Sequence, residues 1–196
     1  MLKRLMDFFL SFIFLLLSSP LLLIIAILIK LDSRGPVFFN QTRVGRHGKP
    51  YVMYKFRTMY VGVKDTWLER FDPNDVENYV FQEEDDPRIT RVGKFLRKWS
   101  LDELPNLINV FIGNMSLVGP RPEMPEIVEH YPPEGRKRLE VKPGITGLSQ
   151  VRGRAELPLG ETLRTDIEYV ENHTIWLDIK ILFKTPFVVL TGKGAR

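Results

Sequence analysis

The sequence predicts a mainly α-helical protein with one short β-hairpin: an N-terminal helix-break-helix that enters a membrane and returns, followed by a compact domain at the interface. Three observations predict it. The uncharged run over residues 8–29 is interrupted by Ser18-Ser19-Pro20. Two short runs rich in aromatic and β-branched residues bracket Gly45-Arg46-His47-Gly48-Lys49. Beyond residue 90, apolar residues recur at helical spacing in four separate stretches.

As a straight helix the first run would be roughly 33 Å long against about 30 Å of hydrocarbon, so length alone permits a full span. Pro20 removes a backbone donor where no water can compensate, and Ser18 and Ser19 are placed to satisfy the carbonyls it frees. Cations flank the run on both sides, Lys3 and Arg4 before it and Lys30, Arg34, Arg43, Arg46 and Lys49 after it, which conflicts with a span under the positive-inside tendency. A helix that dips in, turns at Ser19-Pro20 and returns to the same face resolves the conflict. A proline-kinked transmembrane helix is the competing reading. The apolar run resumes after Pro20 with no small-x-small site, so a cleaved signal peptide is not expected. The membrane element is therefore placed at residues 1–34 and the domain at residues 35–196.

A chain of 196 residues is one ordinary domain with a little left for an appendage. The 28 Lys and Arg against 24 Asp and Glu suit anionic partners, whether phospholipid headgroups, sugar nucleotides or nucleic acid, and the net charge of +4 does not choose among them. Absence of cysteine excludes disulfides, thiolate nucleophiles and cysteine metal sites. His47, His130 and His173 lie far apart in sequence, so acid chemistry falls to Asp and Glu. There is no internal repeat and no low-complexity tract.

Val37-Phe38-Phe39 and Tyr51-Val52-Met53-Tyr54-Lys55-Phe56-Arg57 read as the two strands of the hairpin, with Lys55 and Arg57 on one face. By pattern alone these are solvated or edge-guarding charges. Residues 60–84 are the least readable: Trp67, Leu68 and Phe71 fit a helix and Asp72-Pro73-Asn74 a turn. The cluster Glu83-Glu84-Asp85-Asp86 reads as a solvated run without chemistry, since four consecutive acids cannot all point inward. Residues 91–99 form a basic amphipathic helix with Val92, Phe95, Leu96 and Trp99 on its apolar side. Arg97, five residues before Asp102, faces either solvent or a phosphate.

The next helix places Leu104, Leu107, Ile108 and Phe111 on a buried face, starts at Pro105 and stops at Gly113-Asn114. Asp102 and Glu103 then stand at its positive end, which favours anions. Two uses compete: Ser100 with Glu103 matches a capping box, and the same acids suit chemistry on a phosphate. Gly119-Pro120-Arg121-Pro122 is a stiff turn presenting one guanidinium, either to an acid or to a phosphate. Lys142-Pro143-Gly144-Ile145-Thr146-Gly147 reads as a turn whose glycines permit close backbone approach, followed by Gln150, Arg152 and Arg154. Residues 160–173 form a helix with Asp166 opposite Leu163, Ile167 and Val170. Residues 175–190 read as an interfacial helix kinked at Pro186, against the alternative of a core helix.

Several long blocks, in order, carry a resemblance over nearly the whole chain. Asp85-Asp86-Pro87-Arg88-Ile89-Thr90-Arg91-Val92-Gly93, Leu96-Arg97, Ser100-Leu101-Asp102-Glu103-Leu104-Pro105, Met115-Ser116-Leu117-Val118-Gly119-Pro120-Arg121-Pro122 and Lys142-Pro143-Gly144-Ile145-Thr146-Gly147-Leu148 resemble the bacterial sugar transferases that are monotopic phosphoglycosyl transferases. The resemblance implies transfer of a sugar 1-phosphate from a nucleotide diphosphate sugar, usually a UDP-sugar, to polyprenyl phosphate with release of UMP. It implies the first membrane step of glycoconjugate synthesis, on the cytoplasmic face of the bacterial inner membrane. Asp102 matches the nucleophile that forms a phosphosugar intermediate, and Glu103 the neighbouring acid that, with Asp102, is tied to Mg²⁺. Lys55, Arg97, Arg121, Arg154 and Asp166 match supporting active-site positions that bind substrate phosphate. Membrane lipids are implied partners, nucleic acid is not, and self-association is left open. Lys142 stands where many relatives have arginine and Ser149 where many have a larger residue. The extra transmembrane helices of larger relatives are not in this sequence, which fits the small, minimal type. A membrane-anchored scaffold or anionic-lipid-binding protein without catalysis is the alternative; it would not need Asp102-Glu103.

Overall fold

The computed structural model describes residues 1–63, 71–72, 75–80 and 86–191. Helix α1, Leu2–Asp32, is long and apolar enough to cross a membrane and has Pro20 inside it. Proline at position 20 leaves the Leu16 carbonyl without its helical donor, and the Ser19 hydroxyl donates to that oxygen at 2.8 Å. The Ser18 hydroxyl likewise donates to the Phe14 carbonyl at 2.6 Å. Phe9, Phe12, Leu16, Leu17, Leu23 and Ile24 are all exposed. Burial is concentrated at the two ends of the helix, in Asp7 and Ser11 and in Ile25 and Ile29.

Both ends lie on the same body. At the first turns the Lys3 ammonium binds Asp178 Oδ2 at 2.5 Å and the Val118 carbonyl at 3.0 Å, and Arg4 donates to the Val110 and Phe111 carbonyls. Asp7 accepts from the Ser116 hydroxyl and the Leu117 N–H. At the last turns Ile25 and Ile29 pack with Phe56 and Leu96. There Arg57, buried, donates to Ser33 and to the Pro36 carbonyl, and Asp32 accepts from the Val92 N–H.

Strands β1, Phe38–Val44, and β2, Pro50–Phe56, form the expected antiparallel hairpin, with Phe38 opposite Phe56 and Phe39 opposite Lys55. Helix α2 is Arg91–Lys98 and, after a 3₁₀ turn at Leu101–Glu103, helix α3 is Asn106–Ile112. Gly113, at φ 98°, ends α3 in the left-handed conformation. Strand β3, Ser116–Val118, is followed by the short α4, Pro125–Val128, and by a 3₁₀ stretch at Pro133–Glu140. Then come β4, Gly144–Thr146; α5, Leu148–Arg152; α6, Leu159–Asn172; and α7, Ile175–Thr191. The main core joins β2, α3, β3, α6 and α7 through Met53, Val110, Leu117, Val118, Tyr169 and Ile181.

The structure departs from the sequence reading in four places. Residues 142–147 are more than a turn: β4 pairs in parallel with β3, Ser116 opposite Gly144 and Val118 opposite Thr146. A Cβ on Gly144 would lie 2.1 Å from the Gly119 nitrogen, so the close approach the glycines permit is to the chain itself. Helix α2 docks through Gly93, which lies against the Thr58 carbonyl, and through Leu96; this turns Phe95 out to 57% exposure. On α3 the buried residues are Asn106, Leu107, Asn109 and Val110, and Ile108 is exposed. Asn109 is buried because its amide completes the edge of β2, accepting from the Tyr54 N–H at 3.0 Å and donating to the Val52 carbonyl at 2.7 Å. Asp166 lies on the buried face of α6 with Leu163 and Val170, not opposite it.

Trp67, Leu68, Pro73, Asn74, Glu83, Glu84 and Asp85 lie outside the described residues, so the helix, turn and acidic cluster expected there do too. Phe71 packs edge-on to Tyr79, and the Glu77 and Tyr79 carbonyls accept from the Gly160 and Leu159 N–H groups at the start of α6. Helix α7 has Pro186 inside it, buries Asp178 and Ile181 and exposes Trp176, Phe183, Phe187 and Leu190.

Candidate active site

Ser100 has a left-handed backbone, φ 53°, which separates α2 from the 3₁₀ turn carrying Asp102 and Glu103. The two acids therefore precede α3 instead of forming its first turn, and side-chain cations do the work expected of the helix dipole. The capping box does not form. Ser100 makes no side-chain cap bond; its hydroxyl accepts from Arg154 Nη2 at 2.5 Å. Glu103 instead pairs with Arg121, Oε1 to Nη2 at 2.9 Å.

Consecutive residues on a 3₁₀ turn point apart, and the two carboxylates have different surroundings. Asp102 is buried, 7% exposed. Burial pushes its carboxyl above the usual range and the Glu103 charge adds to this, against the pull of Lys55, Arg97 and Arg121. Lys55 arrives from β2, with its ammonium 5.6 Å from the centre of the Phe39 ring. Burial brings that ammonium down to about 8, opposed by Asp102 and assisted by the neighbouring Arg43 and Arg97. Arg97 comes from α2 and is steadied by the Thr58 hydroxyl, which accepts from its Nε at 3.0 Å. Arg121 is held above its ordinary value chiefly by Glu103. Arg154, in a left-handed conformation at φ 53°, feels both acids.

The structure thus brings Lys55, Arg97, Arg121 and Arg154 around Asp102 and Glu103, from β2, α2, the turn after β3 and the turn after α5. Four cations around two carboxylates leave net positive charge, suited to a polyanion. Asp166 makes its contacts elsewhere: Oδ1 accepts from the Ser149 hydroxyl at 2.8 Å and Oδ2 pairs with Arg138 at 2.6 Å. Ser19 and Pro20 lie on exposed turns of α1.

The sequence reading missed Arg138, Arg43, Glu123 and Tyr51. Arg43 forks between Gln41 and the Pro122 carbonyl and pairs with buried Glu123 at 3.5 Å. Burial raises Glu123 and Tyr51, and Arg43 opposes both shifts. Arg138 sits in Gly135-Arg136-Lys137-Arg138, and nothing in its spacing marks the one cation of the three that turns inward.

Among the described residues no three His, Asp or Glu side chains gather as a metal cage. Adjacent Asp102 and Glu103 nonetheless fit an ion such as Mg²⁺, which takes one or two carboxylates and completes its shell with water and phosphate oxygens.

The family model described as bacterial sugar transferase matches residues 1–192. The chain is 42% identical, over 99% of its length, to the undecaprenyl-phosphate galactose phosphotransferase of Salmonella typhimurium, covering 41% of that protein. It is 44% identical, over its full length, to the UDP-glucose:undecaprenyl-phosphate glucose-1-phosphate transferase of Escherichia coli, again covering 41% of the relative. The chain therefore spans about two fifths of these relatives. An uncharacterized sugar transferase of Bacillus subtilis, EpsL, is 39% identical over the whole chain, which covers 90% of it. With a match across all but its last few residues, this chain belongs to the bacterial sugar transferase family.

Proposed function

We propose that the protein transfers a sugar 1-phosphate from a nucleotide diphosphate sugar, a UDP-sugar, to polyprenyl phosphate, through a covalent phosphosugar on Asp102. The observation that carries this is the buried Asp102 carboxylate ringed by Lys55, Arg97 and Arg121, beside a more accessible Glu103. In the first step Asp102 attacks the sugar-bearing phosphorus; the bond to the bridging oxygen breaks and UMP leaves. In the second, a phosphate oxygen of the polyprenyl phosphate attacks the same phosphorus, the bond to Asp102 breaks, and polyprenyl diphosphate sugar is released. Lys55, Arg97 and Arg154 counter the negative charge that would repel a carboxylate from phosphate, and Arg121 pairs with Glu103. Glu103, with Asp102, would hold Mg²⁺, which would supply charge neutralisation for the phosphate.

The docking of both ends of α1 onto one body supports a monotopic arrangement in which the apolar middle of α1 enters the membrane and its ends stay on the domain side. A full span would carry the Lys3 end to the face opposite Ile29 and Arg57. Exposed Trp176, Phe183 and Phe187 on α7 add a second apolar contact with the lipid surface. The cations on both flanks of the helix support a domain on the cytoplasmic face of the inner membrane.

A mixture of protein, UDP-sugar and Mg²⁺ without lipid acceptor tests the chemistry. Up to one UMP per active site should be released, and the protein should gain the mass of a sugar phosphate; Asp102→Asn should show neither while still binding the nucleotide sugar. An adduct mapped to Glu103, or UMP release that requires polyprenyl phosphate with no adduct, overturns the assignment.

A further inference from the structure

We propose that Arg138 is a positioning residue for Arg121, and that Asp166 serves the site through Arg138 instead of touching a substrate; this rests on the phosphosugar transfer proposed above. The Gly119-Pro120-Arg121-Pro122 turn is held by its carbonyls. The Pro120 carbonyl accepts from the Gly144 N–H at 2.9 Å, that of Pro122 from Arg43 Nη1 at 3.3 Å, and that of Arg121 from Arg138 Nη2 at 2.6 Å. Proline on either side of Arg121 removes two N–H donors from the turn, so these carbonyl contacts and the fixed proline torsions set where the Arg121 side chain begins. From there it reaches Glu103 at 2.9 Å.

Arg138 is itself fixed on every side. It is 2% exposed, donates from Nη1 to the Tyr131 hydroxyl at 2.5 Å, and pairs with Asp166 at 2.6 Å, which in turn is oriented by Ser149. All four residues are buried. A buried ion pair is a weak source of net stability, because desolvation opposes the Coulomb gain and an apolar pair of equal volume often does as well. What an apolar pair cannot supply is a directed donor to the Arg121 carbonyl. Asp166 then provides the countercharge that keeps this donor in the interior, which accounts for an acid at that position without any contact to the acids at the site.

A double-mutant cycle tests the relay, with Arg138→Lys made alone and together with Arg121→Gln in protein held in lipid nanodiscs. Lysine keeps a charge for Asp166 but lacks the fork that spans Asp166, Tyr131 and the Arg121 carbonyl. Arg138→Lys alone should lower kcat for UMP release by about ten- to a hundredfold, as expected for a misplaced catalytic side chain. In the Arg121→Gln background the same change should alter kcat by less than about twofold, because the side chain it positions is gone. Equal losses in both backgrounds overturn the proposal and leave Arg138 a purely structural residue. A wild-type protein that releases UMP from no sugar nucleotide would instead overturn the transfer reaction. The relay is then read by the ¹⁵N signal of the Arg121 Nε–H, expected to be dispersed in the wild type and averaged in Arg138→Lys; an identical signal in both rejects it.

Discussion

The Arg121 guanidinium meets Glu103 at 2.9 Å, while Asp102, one residue earlier, is buried and has no carboxylate contact of that kind among the described residues. Glu103 is thus neutralised from one side and open on the other, a suitable geometry for a metal ligand. Glu103→Gln should raise the Mg²⁺ concentration for half-maximal rate by about tenfold or more, the usual scale for weakening a metal site. Mg²⁺ titration of UMP release measures it; full activity in excess chelator would sink the role.

Lys55 should set an alkaline limit to activity. With its ammonium brought down to about 8, kcat/KM, which reports the free protein, should fall as pH rises through that value. Lys55→Arg should carry the limb beyond about pH 10. The stability effect has the opposite sign. The folded value lies below the unfolded one of about 10.4, so between them the unfolded chain binds more protons and stability rises with pH. Urea midpoints at pH 7.5 and 10 should show that rise in the wild type and a smaller one in Lys55→Met.

The two ends of α1 should report the same side of the membrane. Cysteines replacing exposed Leu2 and Arg34 are expected to react with an impermeant maleimide only from the cytoplasmic face of inverted vesicles. Labelling of Leu2→Cys from the other face would establish a span and remove the monotopic reading.

Asn109 joins α3 to the edge of β2 with two hydrogen bonds. Asn109→Ala strands the Tyr54 N–H and the Val52 carbonyl, at about 1–3 kcal/mol each. In a chain of this size a combined loss of about 2–6 kcal/mol lowers Tm by roughly 4–24 °C, measurable by calorimetry in detergent.

The elements legible in the sequence are those with a long period or strong punctuation. The β1-β2 hairpin, the apolar α1, the stop at Gly113 and the serine that satisfies the Leu16 carbonyl all follow from local patterns. What stayed hidden is non-local. Strand β4 has three residues, too few for alternation to register, and exists because Gly144 and Gly119 let two backbones touch. Asn109 and Asp166 sit on buried faces because partners far away in sequence satisfy them. The cations around Asp102 were named through resemblance, and the structure brings Lys55, Arg97, Arg121 and Arg154 together there; Arg138 had no such signal.

The docking of the α1 start also sets an order of assembly. Lys3 is 175 residues from Asp178, and Asp7 is 109 residues from Ser116, so α1 is made well before the partners of its charged end. At about 5–20 residues per second its charged end waits roughly 10–35 s for α7 to be made. The apolar stretch is thus made before the domain that will hold its ends exists. The contact closes only when α7 captures the first turn of α1.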